Sequence, residues 1–441
     1  MKYSRVGVCL GLLFAPAVVR AQPANSSDST ELVRALLDRV EQLEKRVAEL
    51  EGRSGPAAPA AQPAVAGAQP AVAAAEPATR APDATAAGPS QVAEASQVHM
   101  GHGRLQEMSG PSVHIAGFSD IDFGATNRPG SHSGFNEGQF VLHMNSALSS
   151  KVNFFGELSL TARSDAGTGT PPATGFNVEV ERSIIQFQQN DYFKVSFGRY
   201  HTPINYWNET FHHGQWLQTS ISRPEMVQFG GSFLPIHFVG ALVEGAAPAG
   251  GLNLNYNFGL GNGRSGVISK AGDWGDINNN RAWLVNLFSR PSALYGLQFG
   301  GSVYRDLITP VGPLAGTAFH EWIETAHVVW SKENPEVIAE FANVTHQQVG
   351  GVKSNSQAWY VQTAYRLPSY ARLWKPYYRF EYIHIPGSDK LFKAVPSLAG
   401  STVGVRYDIS SFAALKFEWR NLRRPGEPWV NGAFAQTSFT F

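Results

Sequence analysis

The feature that most constrains this chain is a long succession of segments in which apolar and polar residues alternate. A period of two residues is typical of β-strands that have one apolar and one polar face. The clearest example is Leu252-Asn253-Leu254-Asn255-Tyr256-Asn257-Phe258. From Ser112 onward 16 such segments follow one another, near 112–124, 137–149, 151–163, 178–189, 192–200, 235–246, 251–261, 281–290, 295–306, 320–331, 335–346, 356–367, 374–385, 399–409, 412–422 and 432–441. Their even number and their lengths suit the tilted strands of a transmembrane β-barrel.

The lengths of the connections alternate as well. Every second connection is short: 149–150, 190–191, 248–250, 291–292, 333–334 and 410–411. The intervening connections are long, including 201–234, 262–280 and 386–398. Short periplasmic turns and longer external loops are typical of transmembrane barrels, whereas a soluble β-sandwich has no reason for this asymmetry. The sequence therefore predicts an all-β fold over 111–441, a 16-stranded antiparallel transmembrane barrel with both ends in the periplasm.

The last segment ends the chain on an aromatic residue. One face of this segment carries Ala433, Ala435, Thr437, Phe439 and Phe441, and the other face is polar. A final strand that ends in Phe resembles the terminal strand of bacterial outer-membrane barrels, which the barrel assembly machinery recognises. An edge strand of a soluble sheet is the alternative.

The first 110 residues are organised differently. Residues 1–21 have the pattern of a secretory signal peptide, with Lys2 and Arg5 ahead of an apolar stretch and a small-residue cleavage site. The Ala/Pro-rich segment 52–110 predicts a disordered linker. The only cysteine, Cys9, lies in the predicted signal, so the mature protein is expected to contain no thiol.

Between these segments, residues 22–51 contain a heptad repeat. Positions a and d of three successive heptads are occupied by Val33, Val40 and Val47 and by Leu36, Leu43 and Leu50. Valine at a with leucine at d favours a parallel dimer. In contrast, Arg39 to Glu44 and Arg46 to Glu51 each resemble a trimer-specifying pattern of coiled coils. We therefore predict a short periplasmic coiled coil that forms a homotrimer; an amphipathic helix packed on its own domain is the alternative.

Composition excludes some functions and leaves others open. After the predicted signal, no apolar run reaches the roughly 20 residues of a transmembrane helix, so a membrane prediction rests on the strands. The content of 16% charged and 12% aromatic residues suits a barrel, but also a secreted β-rich enzyme. Lys and Arg number 35, as do Asp and Glu, and this balance gives no reason to expect nucleic acid as a partner.

The third external connection, 201–234, is the longest and is rich in aromatic residues. Such side chains must pack on something, and the nearest wall is the barrel interior. Long ordered loops are usually functional, and in many porins the third loop folds inward and narrows the pore. We predict the same here, with packing over the barrel mouth or on a neighbouring subunit as the alternatives. The predicted constriction residues are Tyr206, Trp207, Glu209, His212, His213 and Trp216.

Motifs for catalysis or metal binding are weak in this sequence. Adjacent His212 and His213 diverge on an extended backbone, and no convincing further ligands follow nearby. A copper site at His99-Met100-Gly101-His102 is conceivable, but such residues in a linker are more often unstructured. We find no Gly-x-Ser-x-Gly elbow, His-Glu-x-x-His pair or phosphate-binding loop. The sequence therefore predicts no catalytic residue, no cofactor and no metal.

Alternation also predicts which charges face the lumen, since charged side chains are costly on the lipid face. The basic members of this set are Lys151, Arg163, Lys194, Arg366, Arg379, Arg406, Lys416 and Arg420. Its acidic members are Glu157, Glu381, Asp408 and Glu418. The excess of basic residues favours passage of anions through charge-assisted hydrogen bonds. The alternative is a network of Arg–carboxylate pairs that braces the wall.

A signal peptide, a periplasmic coiled coil, a linker and a 16-strand barrel ending in Phe resemble the phosphate-selective porin O and P family. The stretch Phe197-Gly198-Arg199-Tyr200-His201-Thr202-Pro203 is similar to that family's segment leading into the third loop. The resemblance implies a trimeric outer-membrane channel for small anions or other polar solutes. It does not extend to the family's dense ladder of pore arginines and lysines.

The sequence thus predicts a bacterial outer-membrane porin that allows passive diffusion of small hydrophilic solutes with a mild anion preference, phosphate included. Its expected partners are membrane lipid, two further copies of the chain and the assembly machinery. Two other functions stay open: an enzyme built on a barrel, and a structural tether between outer membrane and cell wall.

Overall fold

A computed structural model describes residues 111–161, 177–228, 233–247, 249–264, 266–268 and 277–441. The predicted signal peptide, coiled coil and linker, and also Arg163, lie outside these residues. Within the described ranges the chain forms sixteen strands. The first eight are β1 (His114–Thr126), β2 (Gly134–Ala147), β3 (Val152–Thr161), β4 (Asn177–Asn190), β5 (Phe193–His201), β6 (His237–Ala247), β7 (Leu254–Asn262) and β8 (Ala282–Ser289). The second eight are β9 (Leu297–Ile308), β10 (Phe319–Trp330), β11 (Glu336–Gln348), β12 (Lys353–Ala364), β13 (Trp374–His384), β14 (Leu398–Ser410), β15 (Ala413–Arg423) and β16 (Val430–Thr440).

Each strand pairs antiparallel with its neighbours in sequence, and β1 pairs with β16 to close the barrel. The predicted 16-stranded antiparallel barrel is therefore confirmed. Its seam runs from Phe118 opposite Thr440 to Thr126 opposite Gly432. Beyond the strands, Gly117 N–H donates to Phe441 O at 2.8 Å, and Phe441 N–H donates to Gly117 O at 3.0 Å.

Alternation along the strands separates an inward from an outward face. In β12 every second residue is buried and its neighbours are exposed. In β16 the inward Gln436 and Ser438 are buried, whereas Phe441 is 55% exposed on the outside. Strand β10 follows the same alternation, with the charged Glu324 on its outward face.

The connections follow the predicted asymmetry with two departures, at successive connections. The loop between β11 and β12 covers only 349–352, although it lies on the side of the long loops, and the opposite turn 365–373 is longer. Among the residues that the structure describes, helical structure is limited to α1 (Tyr206–Thr210) and to short 3-10 turns at Glu225–Val227, Gly250–Leu252, Ser292–Leu294, Gly312–Leu314, Ser369–Ala371 and Leu391–Ala394. In the part of the chain that the structure describes, no helix has the length and apolar character needed to cross a membrane.

Candidate functional site

The connection between β5 and β6, residues 202–236, lies inside the barrel and is called the inserted loop below. Most of its described residues are buried, and the side chains of Ile204, Trp207 and Phe233 are inaccessible to solvent. A loop on the outer surface would keep its backbone in water. This one contacts the inward faces of β11 to β15, so its backbone groups depend on the wall for hydrogen bonds.

Acidic side chains of the wall accept hydrogen bonds from loop N–H groups. The carboxylate of Glu340 on β11 accepts from the N–H of Tyr206 and, at 2.9 Å, from that of Trp207. These are the first residues of α1, where N–H groups lack partners within the helix. On the next part of the loop, Glu418 on β15 accepts from Ser222 N–H at 3.2 Å. Two carboxylates of the wall therefore fix two separate points of the loop backbone.

Basic side chains of the same wall donate to loop carbonyls. The bonds are Arg379 to Ser222 O (2.8 Å), Arg406 to Gln218 O (3.0 Å) and Lys416 to Ser220 O (3.2 Å). All three cations are buried. Hydrogen bonds from ionised donors are stronger than neutral ones, and they satisfy carbonyls that the loop's irregular backbone cannot pair internally.

These contacts locate the predicted lumen-facing basic residues. Arg379, Arg406 and Lys416 lie on the wall beneath the inserted loop, and Arg420 is bonded to Glu418 at 2.5 Å. Arg366 lies at the end of the barrel that carries the short turns. There it forms ion pairs with Glu333 at 2.9 Å and with Asp408 at 2.5 Å. Lys151 lies at the same end, with its ammonium 2.7 Å from Gln189 Oε1.

The opposite wall is different, because solvent reaches its inward face. Lys194 on β5 and Glu244 on β6 are partly exposed, and Arg290 after β8 is exposed. Arg182 on β4 also keeps 20% of its side chain accessible. Lys194 was among the predicted pore residues, whereas Arg182, Glu244 and Arg290 were not. Their position in the same alternating pattern was the signal that could have identified them.

The predicted constriction residues divide into buried and exposed members. Trp207, His212 and His213 are buried, and Tyr206 and Trp216 are partly buried. Glu209 is exposed, and its electrostatic neighbours are Glu244 and Arg290. The exposed carboxylate of the loop therefore faces the solvent-accessible wall. Whether these residues narrow a conducting pore stays a prediction.

The ionisation of Glu209 reflects this enclosed position. Solvent touches the side chain, but the barrel surrounds that solvent. Reduced hydration within the barrel and the nearby carboxylate of Glu244 raise the pKa of Glu209 to about 8, against the attraction of Arg290. The group therefore changes charge within a pH range that a channel recording can cover.

A second group of inward residues forms a cluster of four histidines around one carboxylate. The histidine cluster comprises His201 on β5, His212 and His213 on the inserted loop, His237 on β6 and Glu181 on β4, all of them buried. Glu181 Oε2 lies 2.7 Å from His237 Nε2, and Glu181 Oε1 lies 3.1 Å from His213 Nε2. The His201 and His212 rings are stacked, with centroids 3.5 Å apart.

Two irregularities of the strands accompany this cluster. Glu157 pairs with Arg182 and Leu158 with Val180, so Glu181 is an extra residue in a β-bulge. On β5, Gly198 has φ +147°, and a Cβ there would lie 1.9 Å from Ser183 O. Only glycine fits at that position, which precedes Arg199 and His201. Only His212 and His213 are adjacent in the sequence, and the other members of the cluster come from separate strands.

Solved structures similar to this chain are outer-membrane barrels. An anion-selective porin from Comamonas acidovorans is 14% identical, with TM-score 0.54 over 75% of this chain and 100% of its own. OmpT, an outer membrane protein of Vibrio cholerae in a trimer form, is 12% identical, with TM-score 0.51 over 76% and 100%. The outer membrane channel DcaP of Acinetobacter baumannii is 10% identical, with TM-score 0.50 over 76% and 99%.

No family model and no curated protein matches the sequence. Identities this low establish a shared porin-type barrel fold and nothing finer. The phosphate-selective O and P family suggested by the sequence is not confirmed by these neighbours.

Proposed function

We propose that this protein is an outer-membrane porin through which small hydrophilic solutes diffuse without chemical change. The observation that supports this proposal is that two walls inside the closed barrel differ in their exposure to solvent. One wall, β11 to β15, is covered by the inserted loop, whereas the wall of β4 to β8 keeps charged inward groups in contact with solvent. This arrangement supports a passage along the second wall where the loop does not contact it, that is, away from His212 and His213.

We further propose a mild preference for anions, phosphate included. It is supported by the excess of basic residues in the predicted lumen-facing set. Because Arg379, Arg406 and Lys416 are bonded to loop carbonyls, the preference would depend on cations of the open wall, with Lys194 and Arg290 foremost. Glu209 and Glu244 oppose it, and this opposition keeps the preference mild.

A homotrimer is proposed from the outward face of β10 to β12. There Asn343 Nδ2 donates to Glu324 Oε2 at 2.8 Å, and Gln357 Nε2 donates to Asn343 Oδ1 at 3.4 Å. A charged group facing lipid is destabilising, so this polar row fits a protein neighbour better than acyl chains. The trimer form of one structural neighbour and the predicted coiled coil support the same assembly, with 22–51 as the coiled coil and 52–110 as the linker to the barrel.

Planar-bilayer recording with purified full-length protein tests the channel proposal. We expect discrete, stable conductance steps, and in a salt gradient a reversal potential of the sign given by anions. Insertion without any conductance would refute the porin and favour the structural tether. Steps with a cation-type reversal potential would refute the anion preference alone.

A further inference from the structure

Most members of the histidine cluster are distant in sequence, and only the folded barrel brings them together. The cluster joins the inserted loop to β4, β5 and β6 on the side of the barrel away from the Glu340 and Glu418 contacts. Nothing in a diffusion channel requires four buried imidazoles around a carboxylate. These side chains are buried and water does not solvate them. Another interaction must therefore stabilise the cluster.

We propose that the cluster binds one divalent transition-metal ion of the zinc type, with His201, His212, His213 and Glu181 as ligands. The potential ligand atoms of the three histidines lie within 4.8 Å of one another. Glu181 Oε1 lies 3.1 Å from His213 Nε2, and Glu181 Oε2 lies 3.9 Å from His212 Nε2. In a tetrahedral site with bonds of about 2.0–2.1 Å, ligand atoms are about 3.3 Å apart. Metal binding therefore requires a rearrangement in which the His201 ring turns out of its stack on His212, where the ring centroids are 3.5 Å apart, and Glu181 moves toward it.

The hydrogen bonds of His212 prepare its Nε2 as a ligand. The amide nitrogen of Asn208 donates to Thr202 O at 2.9 Å and to Ile236 O at 3.0 Å, which fixes the orientation of the amide. Its Oδ1 then faces His212 Nδ1 at 3.0 Å, so Nδ1–H donates and the lone pair is on Nε2. A metal-binding histidine commonly bonds a side-chain or backbone oxygen in this way.

His213 follows the same rule. Its Nδ1 lies 3.3 Å from Gln139 Oε1 and its Nε2 lies 3.1 Å from Glu181 Oε1, so a neutral ring with its proton on Nδ1 directs the Nε2 lone pair at the Glu181 carboxylate. An imidazole lone pair and a carboxylate oxygen repel each other unless a cation lies between them. A bound metal ion supplies that cation without protonating the ring.

The remaining two histidines have distinct roles. His201 is buried; its Nδ1 lacks a hydrogen-bond partner among the described residues, and its Nε2 lies 3.5 Å from Glu157 Oε2, so Nδ1 is available to a metal ion. In contrast, Arg199 donates to His237 Nδ1 at 2.8 Å. The proton of His237 is therefore on Nε2, which lies 2.7 Å from Glu181 Oε2 and 3.2 Å from His212 Nε2; metal binding at His212 would replace the second of these contacts. His237 is a positioning residue that orients the carboxylate.

The donor set selects the class of metal. Three imidazoles and one carboxylate suit Zn(II), Cu(II) or Ni(II), whereas Mg(II) and Ca(II) prefer oxygen ligands throughout. Four protein ligands in a buried position are typical of a structural site. The ion would cross-link the inserted loop to the barrel wall, and this consequence does not depend on which solute the channel passes.

Metal titration of the full-length protein in detergent tests the proposal. The protein is stripped with a chelator and titrated with Zn(II) against a chromophoric competitor, and bound metal is counted by elemental analysis. All variants carry His99→Gln and His102→Gln, which removes the linker histidines. We expect one zinc per protomer, and at least 10-fold weaker binding in Glu181→Gln and in His213→Gln. His327→Gln, which changes a buried histidine outside the cluster, is the matched control and should bind as the parent does.

Heat-modifiable migration on gels shows whether each variant forms the barrel. Should a variant fail to fold, X-ray absorption of the zinc-loaded parent decides, with three imidazoles and one oxygen expected around the metal. The proposal is overturned if the parent binds none of Zn(II), Cu(II) and Ni(II), if Glu181→Gln binds zinc as the parent does, or if the spectrum lacks histidine ligands.

Discussion

Removal of the Glu340 carboxylate tests the role of the inserted loop most directly. In Glu340→Ala, the N–H groups of Tyr206 and Trp207 lose their acceptor at the start of α1. Tyr360, whose hydroxyl donates to the same carboxylate at 2.7 Å, stays on the wall. The change therefore weakens the attachment of the loop while it leaves the strand ladder of β11 in place.

The size of the effect follows from the two lost bonds. A hydrogen bond to a charged group contributes about 1.5–3 kcal/mol, so the attachment loses about 3–6 kcal/mol. Since about 1.4 kcal/mol corresponds to a factor of ten, the lower bound alone shifts the ratio of attached to detached loop roughly 100-fold. Glu340→Gln keeps one acceptor oxygen and should fall between the parent and Glu340→Ala.

Single-channel recording measures the outcome. We expect Glu340→Ala to conduct more than the parent and to show larger current fluctuations, because a detached loop uncovers the β11 to β15 wall. Glu137→Ala, which removes an exposed carboxylate, should behave as the parent. Parent-like conductance and noise in Glu340→Ala, with the barrel intact, would show that the loop does not limit the passage of ions.

Three further predictions concern pH, assembly and insertion. The pKa of Glu209 is raised to about 8, so its carboxyl group is neutral below that pH and ionised above it. The reversal potential should therefore shift toward the value expected for cations between pH 7 and 9. Glu209→Gln should remove this shift. Glu324→Cys in a Cys9-free background should form disulfide-linked or cross-linkable oligomers in native membranes, whereas monomers alone would contradict the proposed interface. Deletion of Phe441 should lower insertion into the membrane of cells. It should change refolding in detergent little, because the Phe441 side chain is 55% exposed. Normal insertion in cells would show that the assembly machinery does not need the terminal aromatic residue.

Strand positions could be predicted from the sequence because each strand has its own local signal. The barrel imposes a period of two residues wherever one face meets apolar surroundings, and the predicted segments match β1 to β16 within a few residues. Even the charged Glu324 lies on the outward face of β10, as the alternation of the neighbouring residues predicts. Local alternation therefore specifies the fold without knowledge of distant contacts.

The interior could be predicted only in part, because its contacts join distant residues. Arg379 and Arg406 were placed on the lumen side by parity, but parity does not reveal that loop carbonyls are their acceptors. The histidine cluster was missed for the same reason. Glu181 is inward through a bulge, and His237 lies 25 residues beyond His212, so only the folded barrel brings them together.

The seam at Gly117 and Phe441 implies an order of events during folding. Thr440 and Gly117 are 323 residues apart, and joining the ends of so long a chain costs about 5 kcal/mol of loop entropy if nothing between them is formed. Hairpins between successive strands shorten this distance step by step, so the seam gains its favourable geometry only after the other strands have paired. A truncated chain that lacks β16 would therefore leave one edge of β1 unpaired. The barrel can close only when β16 is present to pair with β1.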